Sequence, residues 1–489
     1  RTLPLVLSAR SSDALQAMAQ RTAKQIRQTS ALNLYDLCWS ARYRREQHEQ
    51  AMLVWAENPE QTAEALEAFA AGDEPAGVFT GSHQPQSQGS VWVYSGNGCQ
   101  WAGMGRQLLA ESELVRNTVA EINGLVKQYT DDCDLEQLLG EEQSEDCYAL
   151  TELAQPALFA LQVAMTRYLR AQGVEPAAVT GHSVGEVAAA WASGALTLEQ
   201  ATRVICLRSY YQGKTAGTGQ MTAVATSADN LKTLLAELQC DKVELAGINS
   251  PKGLTLAGAP EQLSAVEARL QADNIRFKRL NLNYAFHSPC MDEIEAGLKE
   301  SLADLKPAET AIPFISTVTG ETLNGTDLNA EYWWLNIRRP VLFESAIGQC
   351  VNQGHCTFLE LGAHPVLRTY INDCVRAEEC QGQIITTLAR QQDSQQELER
   401  ALAELLLSGA TVDESRWFPV QGRVMALPTY PWQRQSYWKP ESTESLALLN
   451  RYYRHPLLGY ALAQHSGCWE AQLDRSEERR VGKECFLLC

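Results

Sequence analysis

The chain opens on a short apolar run, PLVLSA (Pro4–Ala9), which predicts a strand. Ser12 or Asp13 can cap the helix that follows, with Ala14, Leu15, Met18 and Ala19 along one face. A helix around Leu34–Ala41, a strand at Ala51–Trp55 and a helix at Thr62–Ala71 complete a small α/β unit over residues 1–90. It closes in GSHQPQSQGS (Gly81–Ser90), a polar stretch that reads as a connection. A second block begins at the apolar strand Val91–Tyr94 and runs into SGNGCQWAGMG (Ser95–Gly105). Beyond several helical segments come a short strand at Ala177–Val179, a Gly/His/Ser turn at Gly181–Gly185 and a helix over Val187–Trp191.

Between Met221 and Asn281 the period changes back and forth. MTAVATS, VELAGIN, GLTLAG and IRFKRLN read as strands, with helices at Asn230–Gln239 and Glu261–Ala272. That βαββαβ order predicts a ferredoxin-like unit at about 220–283, inserted in a larger fold that resumes at His287 and runs to about Leu388. A charged helix (Gln396–Leu407) then precedes RVMALPTYPWQRQSYW (Arg423–Trp438). Its prolines forbid a helix through the middle, so it is expected to lie extended over the preceding domains. The last fifteen residues, RSEERRVGKECFLLC, differ in character from everything before them and read as a cloning or frame artefact. An opening at Arg1 rather than Met reads as a cut from something longer.

Composition narrows the class. The 489 residues are 45% hydrophobic and 20% charged, the mix of a folded protein with room for two to four domains. No run approaches the ~20 apolar residues of a bilayer helix. The net charge of −18 opposes polyphosphate backbones and anionic membranes, so neither nucleic acid nor membrane is an expected partner. A small anionic substrate stays possible, because it needs one local cation. The 14 cysteines form no paired framework and no ligand spacing, which predicts reduced thiols in a cytoplasmic protein and no metal site.

The strongest chemical signal is Gly181-His182-Ser183-Val184-Gly185. G-x-S-x-G between a strand and a helix is the setting of a nucleophile elbow, with the helix N-terminus favouring developing negative charge. Taken alone, the pentapeptide reads equally as a turn in which the serine caps. Of the eight histidines, His182 adjoins the serine and points elsewhere, whereas His287, in YAFHSPCMD, follows it at a distance compatible with a Ser…His order. A histidine among aromatics is, by itself, more often structural.

Taken together, YSGNGCQWAGMG, LTELAQPALFALQVA, GHSVGE, VICLRSYY, YAFHSPCMD, PFISTVTG, YWWLNIRRPVLF and FLELGAHPVL run in an order that resembles the acyltransferase domain of polyketide synthases, related to malonyl-CoA:acyl-carrier-protein transacylases. The resemblance implies an α/β-hydrolase-like large subdomain with the ferredoxin-like insert, over residues 91–390. Residues 1–90 resemble the linker after a ketosynthase, and 391–440 the linker after an acyltransferase. RYYRHPLLG resembles the opening of a dehydratase domain, truncated at 441–474, before the atypical tail 475–489.

Position by position, the resemblance makes Ser183 the nucleophile and His287 the general base, the latter oriented by the backbone carbonyl of Asn336. The oxyanion hole would be the N–H groups of Val184 and Asn97. Here the chain has Asn97 where the family usually has Gln, and Cys99 where it has Ser. Gln155 lines the acyl pocket, and Arg208 grips the free carboxylate of a malonyl-type group through a fork that lysine reproduces poorly. Spacing alone would make Arg208 a helix-surface residue. Phe286 accompanies plain malonyl in the family, as does Val184, while Tyr284 fits the α-methyl pattern. The implied reaction moves malonyl from CoA to the phosphopantetheine arm of an acyl carrier protein, with no resident cofactor. Ketosynthase and dehydratase neighbours are implied on the parent polypeptide. A hydrolase that clears stalled acyl groups and an impaired docking region are the alternatives.

Overall fold

The computed structural model describes residues 2–83, 89–144, 146–435, 453–455, 457–461 and 467–471. The chain divides into two units, Arg1–Pro431 and Trp432–Cys489. In the second, Tyr453–His455, Gly459–Ala461 and Trp469–Glu470 form a small antiparallel sheet. Most of the dehydratase-like segment 441–474, and all of the tail 475–489, lie outside the described residues.

The first unit begins with β1 (Leu3–Ala9), β2 (Gln50–Ala56) and β3 (Val78–Ser82), an antiparallel sheet in that order. The helix after β1 is capped by Ser11, one residue ahead of the predicted caps, its side chain accepting from the N–H of Ala14. Its buried Ala14, Leu15, Met18 and Ala19 include the whole predicted face. Strand β3 was hidden from the period-2 reading because every one of its residues is half-exposed or exposed.

The central sheet contains β4 (Ser90–Tyr94), β5 (Ala178–Gly181), β10 (Phe314–Ile315), β11 (Thr322–Leu323), β13 (Thr357–Leu361) and β14 (Gln383–Thr386). Its order is β11-β10-β5-β4-β13-β14, parallel except for the edge strand β11. SVWVY of β4 and TFLEL of β13 are buried on both faces, which is why β4 reads as a continuous run rather than an alternation. Helix Thr151–Ala171 covers one face, and Gln162 on it donates to the carbonyls of Ser95 (2.8 Å) and Leu361 (3.2 Å), tying it to the ends of β4 and β13.

The insert holds β6 (Gln220–Val224), β7 (Val243–Ser250), β8 (Gly253–Gly258) and β9 (Phe277–Arg279), with helices Ala228–Leu238 and Pro260–Ala272. Their order, β7-β8-β6-β9, is that of a ferredoxin-like sheet. A fifth strand, β12 (Val341–Leu342), comes from the larger fold and pairs parallel to β7. This unpredicted join stitches the insert to the segment that follows helix Ala330–Arg338.

Past helix Gln395–Ser408, residues 423–431 have no regular structure and lie on the N-terminal helices, while residues 436–438 of the predicted extended stretch fall outside the described residues. Arg423 donates its N–H to Asp36 (2.8 Å), Met425 to Ser40 (2.9 Å), and Arg45 reaches the carbonyls of Leu427 and Pro428. Side chains thus satisfy a backbone that prolines keep out of sheet and helix. No helix among the described residues is long and apolar enough to cross a membrane.

Candidate active site

The carboxyl ends of β4, β5 and β13 meet where the chain leaves the sheet in opposite directions, the place where open α/β sheets bind ligands. Ser183 leaves β5 there, in a left-handed conformation (φ +54°) that a non-glycine residue holds only under constraint. Space forces the flanking glycines. A Cβ on Gly185 would stand 2.1 Å from the Tyr94 carbonyl oxygen, and one on Gly181 2.3 Å from the Gly185 carbonyl carbon. Helix Gly185–Ala192 starts immediately behind.

Ser183 Oγ lies 2.8 Å from His287 Nε2. On the far side of the ring, Nδ1 lies 2.9 Å from the carbonyl oxygen of Arg339. A carbonyl only accepts, so the proton sits on Nδ1 and Nε2 is left as the acceptor for the serine hydroxyl. His287 is buried and also in the left-handed region (φ +58°), with its N–H donated to the Ile337 carbonyl. Burial, then the charge of Arg208 and the neighbouring His182, hold the imidazole down at about 3, so it is neutral and Nε2 is an open acceptor for the serine hydroxyl.

The orienting carbonyl is therefore that of Arg339, which corrects the expectation of Asn336. Pro340 disfavours helical backbone at the residue before it, and Arg339 is extended (φ −82°, ψ 156°) as the helix ends. Its carbonyl swings out of the helix toward His287, whereas that of Asn336 stays in the last turn. Asn336 works through its side chain instead. Its Oδ1 accepts from Arg208 Nε (3.0 Å), and its Nδ2 donates to the Ser183 carbonyl (3.1 Å) and to Glu186 Oε2 (2.8 Å).

Arg208 is 1% exposed, not a helix-surface residue. Its Nη1 donates to Gln155 Oε1 (2.8 Å) and Gln212 Oε1 (2.7 Å), and its Nη2 to Ser183 Oγ (3.2 Å). Burial lowers its pKa to about 9, opposed by the charge of Glu186. Gln155 is spent on this grip and on Thr151 and Gln212, so it serves Arg208 rather than facing an acyl chain directly.

A cleft of about 760 Å³ opens over the serine, lined among others by Asn97, Trp101, His182, Ser183, Phe286 and His287. Tyr284, buried, stacks on Phe286 at 4.9 Å and 13°. The backbone N–H groups of Asn97 and Val184 serve no other group among the described residues, as an anion site requires. Cys99 is fully buried, and burial pushes its thiol up to about 12, which makes it packing rather than chemistry. His182 is turned away from Ser183. Its Nε2 lies 2.8 Å from Asn249 Oδ1 and its ring meets Phe343 edge-on. Among the described residues no His/Cys/Asp/Glu cluster is placed to hold a metal.

Two contributors escaped the sequence reading. Gln212 follows Arg208 by one helical turn, a spacing that could have flagged it. Glu186 is an acid at the start of the apolar helix GEVAAAWA, itself a signal of a buried partner.

The acyl transferase domain family matches residues 91–412. The family described as CurL-like, PKS C-terminal matches residues 4–66. Spectinabilin polyketide synthase system protein NorA' of Streptomyces orinoci is 34% identical over 463 residues, covering 94% of this chain and 13% of that protein. Erythronolide synthase EryA2 of Saccharopolyspora erythraea is 32% identical over 461 residues, 93% of this chain and 13% of that protein. The chain thus spans about an eighth of the length of these relatives. The solved acyltransferase domain from module 8 of the salinomycin polyketide synthase superposes with a TM-score of 0.77 at 35% identity, covering 84% of this chain and 97% of that one. MCAT from Streptococcus pneumoniae gives 0.57 at 25% identity, over 64% of this chain and 99% of that one.

Proposed function

The chain belongs to the acyltransferase domains of polyketide synthases, and on that premise we propose that it loads malonyl from CoA onto the phosphopantetheine thiol of an acyl carrier protein through an acyl-serine. The observation that carries this reading is one oxygen with two partners: Ser183 Oγ stands 2.8 Å from a neutral His287 Nε2 and 3.2 Å from the buried Arg208 Nη2.

His287 takes the Ser183 proton as Oγ attacks the thioester carbonyl carbon. The carbonyl oxygen becomes an oxyanion against the Val184 and Asn97 N–H groups. Its collapse breaks the C–S bond, and the CoA sulfur leaves with the proton from His287. The pantetheine thiol then gives its proton to His287, attacks the acyl-serine, and Ser183 leaves, recovering the proton. The Arg339 carbonyl keeps His287 in the required tautomer throughout.

Arg208 supports a carboxylated cargo. Once Oγ is an ester oxygen it is a poorer acceptor, and Nη2 turns its N–H groups to the malonyl carboxylate. A hydrolase clearing plain acyl groups would gain nothing from this buried cation. We read the Phe286 ring, in the cleft wall, as crowding an α-methyl group, which favours malonyl over methylmalonyl. We read residues 1–90 and 391–440 as linkers around the acyltransferase, a reading that supports a ketosynthase and a carrier as partners. Intact-mass measurement after incubation with malonyl-CoA tests the proposal. A malonyl adduct is expected on the wild type and none on Ser183→Ala; an adduct that persists on the alanine variant overturns it.

A further inference from the structure

A guanidinium offers only donors and a carboxylate only acceptors. Asn336 stands between one of each. Its amide oxygen faces Arg208 Nε, and its amide nitrogen faces both Glu186 Oε2 and the Ser183 carbonyl. An amide so placed has one satisfied orientation. Flipped, it would set donor against donor at Arg208 and acceptor against acceptors at the other two.

Glu186 is what holds that orientation. It is fully buried and accepts from the Thr317 N–H, from the Tyr332 hydroxyl (2.7 Å) and from Asn336, while the Thr317 hydroxyl stands between it and the Gly181 carbonyl. Each of its oxygens meets a group that can only donate, the Thr317 N–H on one and the Asn336 amide nitrogen on the other, a pair an ionised carboxylate satisfies and a glutamine amide cannot. The charge of Glu186 reaches Arg208, yet no hydrogen bond or ion pair joins them. A carboxylate in direct contact would occupy the fork and neutralise it where a substrate carboxylate must bind. With the amide between them, the counter-charge stays one group away and Nη2 stays on the serine side.

The geometry points to Glu186 and Asn336 as positioning residues that aim the Arg208 guanidinium and thereby set the preference for a carboxylated acyl donor. This rests on the acyltransferase reading above. Neither residue touches the acyl group; both act through Arg208.

The test measures kcat/KM for acyl-enzyme formation with malonyl-CoA and with acetyl-CoA, by intact mass, on the wild type, Ser183→Ala, Glu186→Gln, Glu186→Asp and Asn336→Asp. Glu186→Gln puts an NH2 against the Asn336 NH2 or another donor. Asn336→Asp puts a carboxylate on Arg208 and repels Glu186. Each is expected to lower the malonyl-to-acetyl ratio at least tenfold, because the action of Arg208 on Ser183 and His287 is common to both donors and only malonyl adds a carboxylate for the fork. Glu186→Asp, which keeps the charge, should retain more of the ratio than Glu186→Gln. Equal losses on both donors, or an unchanged ratio in a folded variant, overturn the proposal and leave the acyltransferase reading standing. Either variant decides alone should the other fail to fold. A wild type that takes no acyl group, or a Ser183→Ala that takes as much, overturns the acyltransferase reading and this inference with it.

Discussion

Arg208 Nη2 donates to Ser183 Oγ over 3.2 Å, and that oxygen is the one His287 Nε2 meets at 2.8 Å. A base and a buried cation therefore share one hydroxyl. The cation favours negative charge developing on the oxygen, and it also opposes a proton arriving on the imidazole. The same guanidinium thus acts on the nucleophile, on the base and, in the proposed reaction, on the substrate.

The shared hydroxyl sets the pH profile. Protonated His287 cannot accept, and its pKa is held at about 3 against an ordinary 6.5 by burial first and Arg208 second. Acyl-enzyme formation with acetyl-CoA should therefore show no acid limb near 6.5. Removing the cation in Arg208→Ala raises the imidazole pKa, so the limb should move up in pH. Glu186, pushed up to about 6 by burial, also titrates in this range. A limb near pH 6 seen with malonyl-CoA alone, and lost in Glu186→Gln, belongs to it. A wild-type acetyl profile that halves at pH 6.5 would contradict the assignment.

His287→Ala should slow acylation by roughly 10²–10⁴-fold, the usual cost of losing a general base. His182→Ala removes instead the bond to Asn249 across to the insert, a net stability of about 1 kcal/mol. It should register in thermal melting more than in rate. If His182 proved the costlier in rate, the base would be misassigned.

Arg208→Ala removes charge-assisted bonds of about 1.5–3 kcal/mol each, roughly ten- to hundredfold in malonyl loading per bond. It also strands Gln155 and Asn336 as buried acceptors and leaves Gln212 Oε1 with Gln155 alone, so the melting temperature should drop. Arg208→Lys should recover loading only in part, since an ammonium cannot reproduce the fork. Competition between malonyl-CoA and acetyl-CoA checks this, and an unmoved ratio would remove Arg208 from the substrate site.

Phe286→Ser opens the cleft wall and removes the ring stacked on Tyr284. Methylmalonyl use should rise relative to malonyl, within the ~1–3 kcal/mol that one methyl group allows. The readout is the adduct ratio from an equimolar mixture of the two thioesters. No change would mean that the ring does not face the α-carbon.

Much of this protein is written in local pattern. The elbow needs glycine at 181 and 185 because neighbouring backbone would overlap any Cβ there, and a G-x-S-x-G string between strand and helix states that need directly. The βαββαβ order of the insert follows from apolar period alone, as does the buried run of β4. The resemblance of motifs added Ser183, His287 and Arg208 as a set, and the fold brings the three within hydrogen-bond reach. Tertiary structure decided what depends on direction. Pro340 turns the Arg339 carbonyl outward, so His287 is oriented by Arg339 rather than Asn336. Gln155 was placed on the pocket wall but turns to the guanidinium. Glu186 and Asn336 lie 150 residues apart and meet only after two helices pack. Hydrogen bonds are short and directional, and the relative placement of distant helices comes from burying their apolar faces. A string of residue types carries the period of those faces but not the angle at which a polar side chain between them emerges.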